Sequence, residues 1–259
     1  PLFINRIMVG VDTVMHIYNI HHSPLIVKSA IERKVKRVIL VHTTGIYSKY
    51  KSASSEYKRI EQVIAEFKKM PECKTAITIL RPSMIYGDTR DRNISKFIKM
   101  VDMSRIIPVI KGGQSLIQPV NARDLGRAYY DVLVNPHVTD GKEYNLTGNR
   151  PITIKELLAI ISKELNKKST FINVPQWLAI IIAKTTLILS IGRFNVVEKV
   201  QRMAENRSYS HEKAVKDFGY NPIMIEEGIK LEVAQYLEEK NEKSIRFLFC
   251  VFLLTILAS

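Results

Sequence analysis

The sequence predicts an α/β fold built on a doubly wound parallel sheet. Runs of β-branched residues alternate with segments of helical apolar spacing, and residues 11–41 form strand, helix, strand within about 30 residues, a βαβ unit. Val38–Val41 is an uninterrupted apolar run, as expected for a strand buried on both faces. It ends at His42-Thr43-Thr44-Gly45. Because ligands bind at the carboxyl ends of parallel strands, the two threonine hydroxyls are candidates for a binding site.

In the first half of the chain, each strand and helix has a sequence signal. Ser23-Pro24 suits a helix start, because proline is tolerated in the first turn. Arg81-Pro82-Ser83 ends a β-branched strand, since proline cannot donate a hydrogen bond to the sheet. The signals predict strands over 11–18, 36–41 and 75–80, and helices over 23–34, 54–70 and 94–103.

The second half of the chain predicts shorter and less regular elements. Gly112-Gly113 predicts a turn. Thr153 and Glu156 have the spacing of a capping box, in which the two side chains bond each other's backbone N–H groups. Extended segments are predicted over 106–110, 116–120 and 142–146, and helices over 122–134 and 153–165.

The composition is that of a globular protein. Of 259 residues, 46% are hydrophobic and 25% are charged, which suits one large domain or a domain with a smaller annex. The net charge is +14, but the lysines are scattered and not interleaved with aromatic residues, so no nucleic-acid partner is predicted. Solvated helix faces account for the charge, with anionic lipid or a phosphorylated ligand as the alternative. Cys73 and Cys250 lack metal-site spacing, so a cytoplasmic location and no metal site are predicted.

Two apolar segments raise the question of membrane contact. Residues 177–191 carry Lys184 at their centre and are shorter than the roughly 20 residues of a spanning helix. They are predicted to form a buried helix of the smaller domain, with membrane-surface contact as the alternative. Residues 247–258 are also short, and a truncated tail anchor, an interfacial segment and a packed helix all stay open for them. Membrane association through this C-terminal segment is therefore one expectation.

Five stretches between residues 11 and 237 occur in the order of a known set of motifs. They read VDTVMHI, VKRVILVHTTGIYS, TILRPSMIYGDTRDRN, QPVNARDLGRA and SYSHEKAVKDFGYNP. Together they resemble the extended short-chain dehydrogenase/reductase family, particularly the nucleotide-sugar epimerases and dehydratases and their atypical relatives. In this resemblance Thr43 takes the active-site Ser/Thr position and Asp124 an acidic position. It implies a partial Rossmann domain and a smaller C-terminal α/β substrate domain.

The resemblance also implies domain boundaries, a cofactor and partners. Residues 1–92, with interleaved parts of 115–150, would form the NAD(P)-binding Rossmann domain. Residues 93–237 would supply substrate-domain segments, and 238–259 a charged and then apolar tail. NAD or NADP would be the cofactor and a small molecule such as a nucleotide-sugar the substrate, with a homodimer packed through the 54–70 helix. The implied cofactor-binding residues are His16, Ile17, Tyr18, Thr43, Thr44, Pro82, Ser83 and Met84.

The chain does not contain the family's phosphate-binding loop. Family members open with strand, G-x-x-G-x-x-G and helix, which places the cofactor diphosphate at a helix N-terminus. Here Gly10 is the only glycine before Gly45, and the chain joins the family pattern just before the fourth strand. About 60 residues and three strands are therefore expected to be missing, so that the Rossmann domain lacks its first βαβαβ portion.

The catalytic dyad is the second departure from the family. Members use Tyr-x-x-x-Lys on the helix after the threonine-bearing strand, where the lysine lowers the pKa of the tyrosine that transfers the proton. Tyr57 is the candidate acid/base beside Thr43, but Glu61 stands at the lysine position. A second alignment fits the distance to Arg81 better, and in it Tyr57 takes the lysine position and Ala53 the tyrosine position. Both alignments lose the lysine.

Substitutes for the missing groups can be named. Tyr47 and Lys51 have the formal dyad spacing, but they lie in a loop, where that spacing does not put two side chains on one face. Tyr57 with Lys58 or Lys51 is a rearranged alternative, and no dyad catalysis is the third. Residues 115–118 also lack the arginine that grips a substrate diphosphate in the family. The candidates to replace it are Arg123, Arg127 and Arg193.

Two functional hypotheses follow from the resemblance. In the first, the protein is an NAD(P)-binding oxidoreductase or epimerase, with Thr43 orienting the substrate and Tyr57 as acid/base. In the second, it is a non-catalytic relative that uses dinucleotide binding for structure or regulation. Glu61 favours the second hypothesis, and the substrate-domain stretches favour the first. A role in membrane-associated redox or lipid-sterol metabolism is a third reading, motivated only by the two apolar segments.

Overall fold

A parallel four-stranded sheet organises the first half of the chain in a computed structural model. The structure describes residues 2–189 and 197–257, with side chains for 3–185 and 197–242. The strands are β1 (Thr13–His16), β2 (Arg37–Val41), β3 (Ala76–Pro82), β4 (Ile85–Tyr86), β5 (Ile106–Ile110), β6 (Leu116–Ile117), β7 (Val120–Asn121), β8 (Glu143–Leu146), β9 (Ile152–Thr153) and β10 (Thr170–Val174).

Helices cover both faces of this sheet, and further helices pack together around a separate hydrophobic core. The helices are α1 (Leu2–Ile7), α2 (Ser23–Glu32), α3 (Ser54–Lys69), α4 (Ile94–Met103), α5 (Ala122–Val134), α6 (Pro136–Thr139), α7 (Ile154–Glu164), α8 (Gln176–Leu189), α9 (Val197–Met203), α10 (Glu212–Phe218) and α11 (Ile225–Leu257).

The main sheet has the strand order β1-β2-β3-β8, and every pairing in it is parallel. Val38 of β2 lies between Val14 of β1 and Ile77 of β3. All five residues of β2 are buried, which confirms the prediction of a strand covered on both faces. The α/β fold with a parallel sheet is therefore as predicted.

Alternate side chains of β2 belong to two separate hydrophobic cores, one on each face of the sheet. Val38 and Leu40 point to the face covered by α2 and α3, where Ile64 is fully buried. Ile39 and Val41 point to the opposite face, with Val132 of α5. This period-two alternation is why an uninterrupted apolar run is needed in a doubly covered strand.

A third core lies among α4, α7 and α11. Ile98, Leu157, Ile161, Ile229 and Val233 are among its buried members. Beside it, β5 pairs with β10 and β6 pairs with β9 in two-stranded sheets. These elements come from the region expected to supply substrate-domain segments.

Local differences from the sequence-based elements have simple causes. The strand predicted over 11–18 is limited to Thr13–His16, the stretch that pairs with β2. The segment predicted over 116–120 contains two short strands with different partners. The first, β6, pairs with β9, and the second, β7, pairs with β4. Thr153 accepts the Glu156 backbone N–H at 3.0 Å, but the Glu156 carboxylate binds Arg150 instead of completing the capping box.

Helix α8 forms as predicted, but it is not the buried helix that was expected. Ala179 and Ala183 are buried, whereas Trp177, Ile181 and Ile182 are more than half exposed. Among residues 176–185, the part of α8 whose side chains the structure describes, the buried residues are small and four apart, so only one narrow face of that part packs. Residues 190–191 of the predicted segment lie outside the described residues.

The expectation of membrane association through 247–258 is wrong. The side chains of that segment lie outside the described part of the chain. Within the residues that the structure describes, none of the helices combines the length and apolar character needed to cross a bilayer. That finding overturns the localisation prediction made from the C-terminal apolar segment.

Helix α11 contains a buried carboxyl group, Glu232, which is 1% exposed. Its Oε2 accepts the Gly87 backbone N–H at 3.0 Å, and its carboxyl group also faces that of Asp91. Burial, followed by the charge of Asp91, raises the pKa of Glu232 to about 8. The folded protein therefore holds a proton here at a pH where the unfolded chain has released it.

Stability is expected to fall as pH rises from 5 to 8, by about 3 kcal/mol through this group. The reason is that the folded state binds the extra proton, so the contribution is fully present below the unfolded pKa and is lost towards pH 8. Urea unfolding at several pH values measures it. A Glu232→Gln variant should flatten the pH profile, and Glu227→Gln, at an exposed position of the same helix, should not. Identical profiles for the natural protein and Glu232→Gln would contradict the assignment.

Candidate functional site

A cleft of about 320 Å³ opens at the carboxyl ends of β2 and β3. Its walls come from five places in the chain: the loop after β2, residues 83–85 after β3, Asn93 before α4, residues 117–118, and residues 202–209. This is the edge of a parallel sheet at which ligands bind. The threonines after β2 are in its wall, as the sequence predicts for a binding site.

The structure gathers the predicted cofactor residues at one edge of the sheet, because β1, β2 and β3 run parallel. Ile17 and Tyr18 are exposed beyond the end of β1, and His16 bonds the Asn19 carbonyl through Nε2 at 3.0 Å. The Pro82 carbonyl accepts the Thr44 hydroxyl at 3.2 Å. The predicted residues that line the cleft are Thr43, Thr44, Ser83 and Met84.

Thr43 begins a short 3-10 helix over Thr44–Tyr47. Its Oγ1 accepts the Gly45 backbone N–H at 3.0 Å, which fixes the side chain. Since the oxygen serves as acceptor in that bond, its own proton can be donated into the cleft. Thr43 is therefore available to bind a ligand.

Tyr57 lies on α3 in a setting that disfavours its ionised form. Burial, with a smaller contribution from the Glu56 charge, raises the pKa of its phenol. Lys51 places Nζ 4.8 Å from the centre of the Tyr57 ring, so the cation lies over the ring face. Proton transfer needs a lowered tyrosine pKa, and this environment acts in the opposite direction.

Glu61 is part of a buried ionic cluster. Its Oε1 lies 2.9 Å from His42 Nδ1 and accepts Arg81 Nε at 2.9 Å, while Oε2 accepts Arg81 Nη2 at 2.5 Å. Arg81 also binds Glu143 at 2.6 Å. Burial acts to raise the pKa of Glu61, but the bonds from His42 and Arg81 outweigh it, so the pKa is lowered. Glu61 therefore links α3 to the residue after β2 and to β3.

The other dyad substitutes are not assembled either. Tyr47 donates its hydroxyl to Asn145 at 3.2 Å, and its ring packs against Tyr209, whereas Lys51 lies over Tyr57. Lys58 lines a separate depression together with Glu61. Of the rearranged pairs, only Lys51 and Tyr57 are in contact, and that contact is with the ring face.

The cations of the cleft were partly missed by sequence reasoning. Arg202 and Arg207 line it beside Lys51. Arg207 donates its backbone N–H to Leu116 at 2.7 Å and bridges to Ile117, which brings a cation to a segment that has none in sequence. The signal available in the sequence was a pair of arginines just before the motif SYSHEKAV.

The arginines that were proposed to replace the family's diphosphate-binding arginine do not reach the cleft. Arg127 is bound to Asp124 at 2.9 Å, with a side chain that is 67% exposed. Arg123 is exposed and is not part of the cleft wall. Arg193 lies outside the described residues.

Comparison with solved structures identifies the fold. UDP-glucose 4-epimerase of Thermotoga maritima with UDP-glucose has a TM-score of 0.67 and 16% identity, over 92% of this chain and 82% of that one. dTDP-glucose 4,6-dehydratase of Streptomyces venezuelae with NAD has 0.67 and 18%, over 92% and 77%. Triphenylmethane reductase of Citrobacter sp. with NADP(H) has 0.66 and 18%, over 88% and 79%. The predicted Rossmann-type fold and the resemblance to epimerases and dehydratases are confirmed at this level.

Sequence comparison covers much less of the chain. No protein-family profile matches it. A stretch of 98 residues, 38% of the chain, is 30% identical to NADH dehydrogenase (ubiquinone) 1 alpha subcomplex subunit 9, mitochondrial, of Arabidopsis thaliana. The match spans 24% of that curated relative.

Proposed function

We propose that this protein is a non-catalytic relative of the NAD(P)-dependent epimerases and dehydratases, in which dinucleotide binding serves structure or regulation. One observation carries the proposal. In both alignments the family's catalytic lysine is lost; in the one that keeps Tyr57 as acid/base its place is taken by Glu61, which is bound on both oxygens within a buried cluster with His42 and Arg81. A carboxylate held in this way cannot lower the pKa of Tyr57 or bind a ribose as lysine does.

The environment of Tyr57 supports the same conclusion. Its pKa is raised, and the Lys51 cation lies over the ring face, 4.8 Å from the ring centre. Hydride transfer at a sugar carbon needs a proton donor or acceptor with a pKa close to the working pH. Tyr57 as placed does not meet that requirement.

NAD or NADP is the proposed ligand of the sheet edge formed by β1, β2 and β3. Solved structures with this fold hold NAD or NADP(H). The predicted cofactor residues of this chain lie together at the corresponding carboxyl edge, with Thr43, Thr44 and Ser83 facing the cleft. The curated relative is named as a subunit of a subcomplex, which supports a role for the dinucleotide in assembly or regulation.

An enzyme acting on nucleotide-linked sugars is the second candidate. It is favoured by Thr43, whose hydroxyl proton is free to be donated into the cleft where the family orients its substrate. Solved structures of this fold hold UDP-glucose or UDP-glucuronic acid. In this reading Tyr57 would have to change its surroundings when substrate binds.

Titration of the natural full-length protein with NADH and with NADPH tests dinucleotide binding. Nicotinamide fluorescence is expected to saturate with at least one of the two, and a Ser83→Trp variant, which fills the edge of the cleft, is expected to weaken binding by about tenfold or more. Glu227→Gln, at an exposed site on α11, serves as the control and should leave binding unchanged. No saturable signal with either dinucleotide would exclude both candidate functions.

A further inference from the structure

We propose that the cleft beside Thr43 binds the phosphate group of a compact small molecule through Lys51, Arg202 and Arg207. This ligand would occupy the place at which the family's enzymes hold a reacting sugar. The inference deepens the proposed function, since it rests on the cleft being free of hydride-transfer chemistry.

The charge of the cleft wall is one-sided. Lys51, Arg202 and Arg207 all contribute to it, and no carboxylate does among the described residues. The remaining polar wall consists of hydroxyl, amide and phenol groups. A concave surface with cations and neutral hydrogen-bonding groups is the composition that recognises an oxyanion.

The nearest carboxylates are already engaged with neutral partners. Glu198 accepts the Ser52 hydroxyl at 2.7 Å and the Ser52 backbone N–H at 3.2 Å. Glu205 accepts the Ser48 hydroxyl and the Lys49 backbone N–H, each at 2.7 Å. These bonds turn both carboxylates towards the loop after β2 and leave the cations of the cleft without a salt bridge within 4.0 Å in the described chain.

The arginine side chains have unused donors. The Nε atoms of Arg202 and Arg207 are buried and have no hydrogen-bond partner among the described residues. Burial, followed by the charge of Arg202, lowers the pKa of Arg207, and the same two causes lower the pKa of Lys51. The charges of Glu205 and Glu198 act on Arg207 and Lys51 from a distance but form no direct salt bridge with them among the described residues, and a bound dianion would supply that direct partner.

The position of Lys51 places the anion next to Thr43. A Cβ added at Gly45 would lie 2.9 Å from Lys51 Nζ and 3.2 Å from Thr43 Oγ1. Both groups therefore flank Gly45, and the missing side chain keeps the space between them open. Lysine, threonine and two guanidinium groups can together donate to three or four oxygens, the number that a phosphate monoester presents.

The volume of the cleft and its apolar wall define the part of the ligand that carries the phosphate group. Met84, Ile85 and Ile117 form an apolar wall, which suits a ring or short hydrocarbon group. A volume of about 320 Å³ is at the small end for ligand sites, so it fits a phosphate monoester and not a whole dinucleotide. The ligand class is therefore an organic monophosphate.

Isothermal titration of the natural full-length protein with inorganic phosphate and with phenyl phosphate, at constant ionic strength, tests the proposal. Saturable binding is expected for both, tighter for phenyl phosphate. Arg202→Gln and Arg207→Gln should each weaken it by about tenfold or more. The matched control is Lys49→Gln, an exposed cation next to the cleft that is not in its wall, which should leave it unchanged. Thermal unfolding of each variant shows that it is folded.

Three outcomes would overturn the proposal. The first is no saturable binding of either phosphate, and the second is that Lys49→Gln weakens phosphate binding as much as the two arginine variants do. The third is displacement of bound NADH or NADPH by phenyl phosphate, which would assign the cations to the dinucleotide. Failure of the proposed function looks different. In that case NADH and NADPH would not bind, while phenyl phosphate binding and its sensitivity to the two arginine variants would persist.

Discussion

Replacing Glu61 by alanine is expected to lower the free energy of unfolding by about 3–5 kcal/mol. The change removes the carboxylate that binds both His42 and Arg81, and it leaves a guanidinium whose side chain is only 9% exposed with Glu143 as its remaining counter-charge. Removing one partner of a buried ion pair is among the most destabilising changes in a folded protein. Urea unfolding of the two proteins measures the difference.

The matched control is Glu56→Ala on the same helix. Glu56 pairs with His21, but its side chain is 58% exposed, so the loss should stay below about 1 kcal/mol. Glu61→Lys restores the residue type of the family and adds a like charge near Arg81, so it should destabilise at least as much as Glu61→Ala. A stable Glu61→Lys protein would contradict the structural role given to this position.

Gly228→Ala in α11 is expected to destabilise the fold by about 3 kcal/mol. An added Cβ would overlap the hydroxyl oxygen of Tyr86 and lie 2.8 Å from its Cζ. Tyr86 is 2% exposed and belongs to the core between α4, α7 and α11, so its ring has little room to move. Calorimetric or urea unfolding gives the change in stability.

Gly126→Ala in α5 provides the control, because nothing lies within 4 Å of an added Cβ there. Alanine favours a helix over glycine, so this variant should be more stable by about 0.5–1 kcal/mol. Combining Gly228→Ala with Tyr86→Phe removes the overlapping hydroxyl and should recover part of the loss. Equal effects of the two glycine variants would show that α11 does not pack against Tyr86 as described.

Most of the fold was predictable from the sequence because its signals are local. The β-branched run before His42 defines a central strand, and the structure buries all of β2 between β1 and β3. Helices α3, α4 and α5 have the predicted extents within a residue, since their apolar spacing lies within the segments themselves. Burial of α8 was predicted wrongly, because an apolar segment does not reveal how much of it finds a packing partner.

The site was less predictable because its contacts span the sequence. Ser48 and Glu205 meet across 157 positions, and Arg207 reaches β6 from the C-terminal motif. The spacing on α3 identified Glu61 as a departure from the family. Only the structure gives its partners, which stand 19 and 20 positions away, just after β2 and on β3. Long-range ionic pairing leaves no periodic signal in a single sequence.

Single-turnover hydride transfer tests the central claim most directly. The natural full-length protein and its Tyr57→Phe variant are each loaded with NAD or NADP and mixed with nucleotide-linked sugars, and reduced nicotinamide is followed by absorbance. We expect no reduction above the rate without protein, in both proteins, because Tyr57 has a raised pKa and Glu61 is committed to Arg81. Reduced nicotinamide that forms with the natural protein and is lost with Tyr57→Phe would contradict the account.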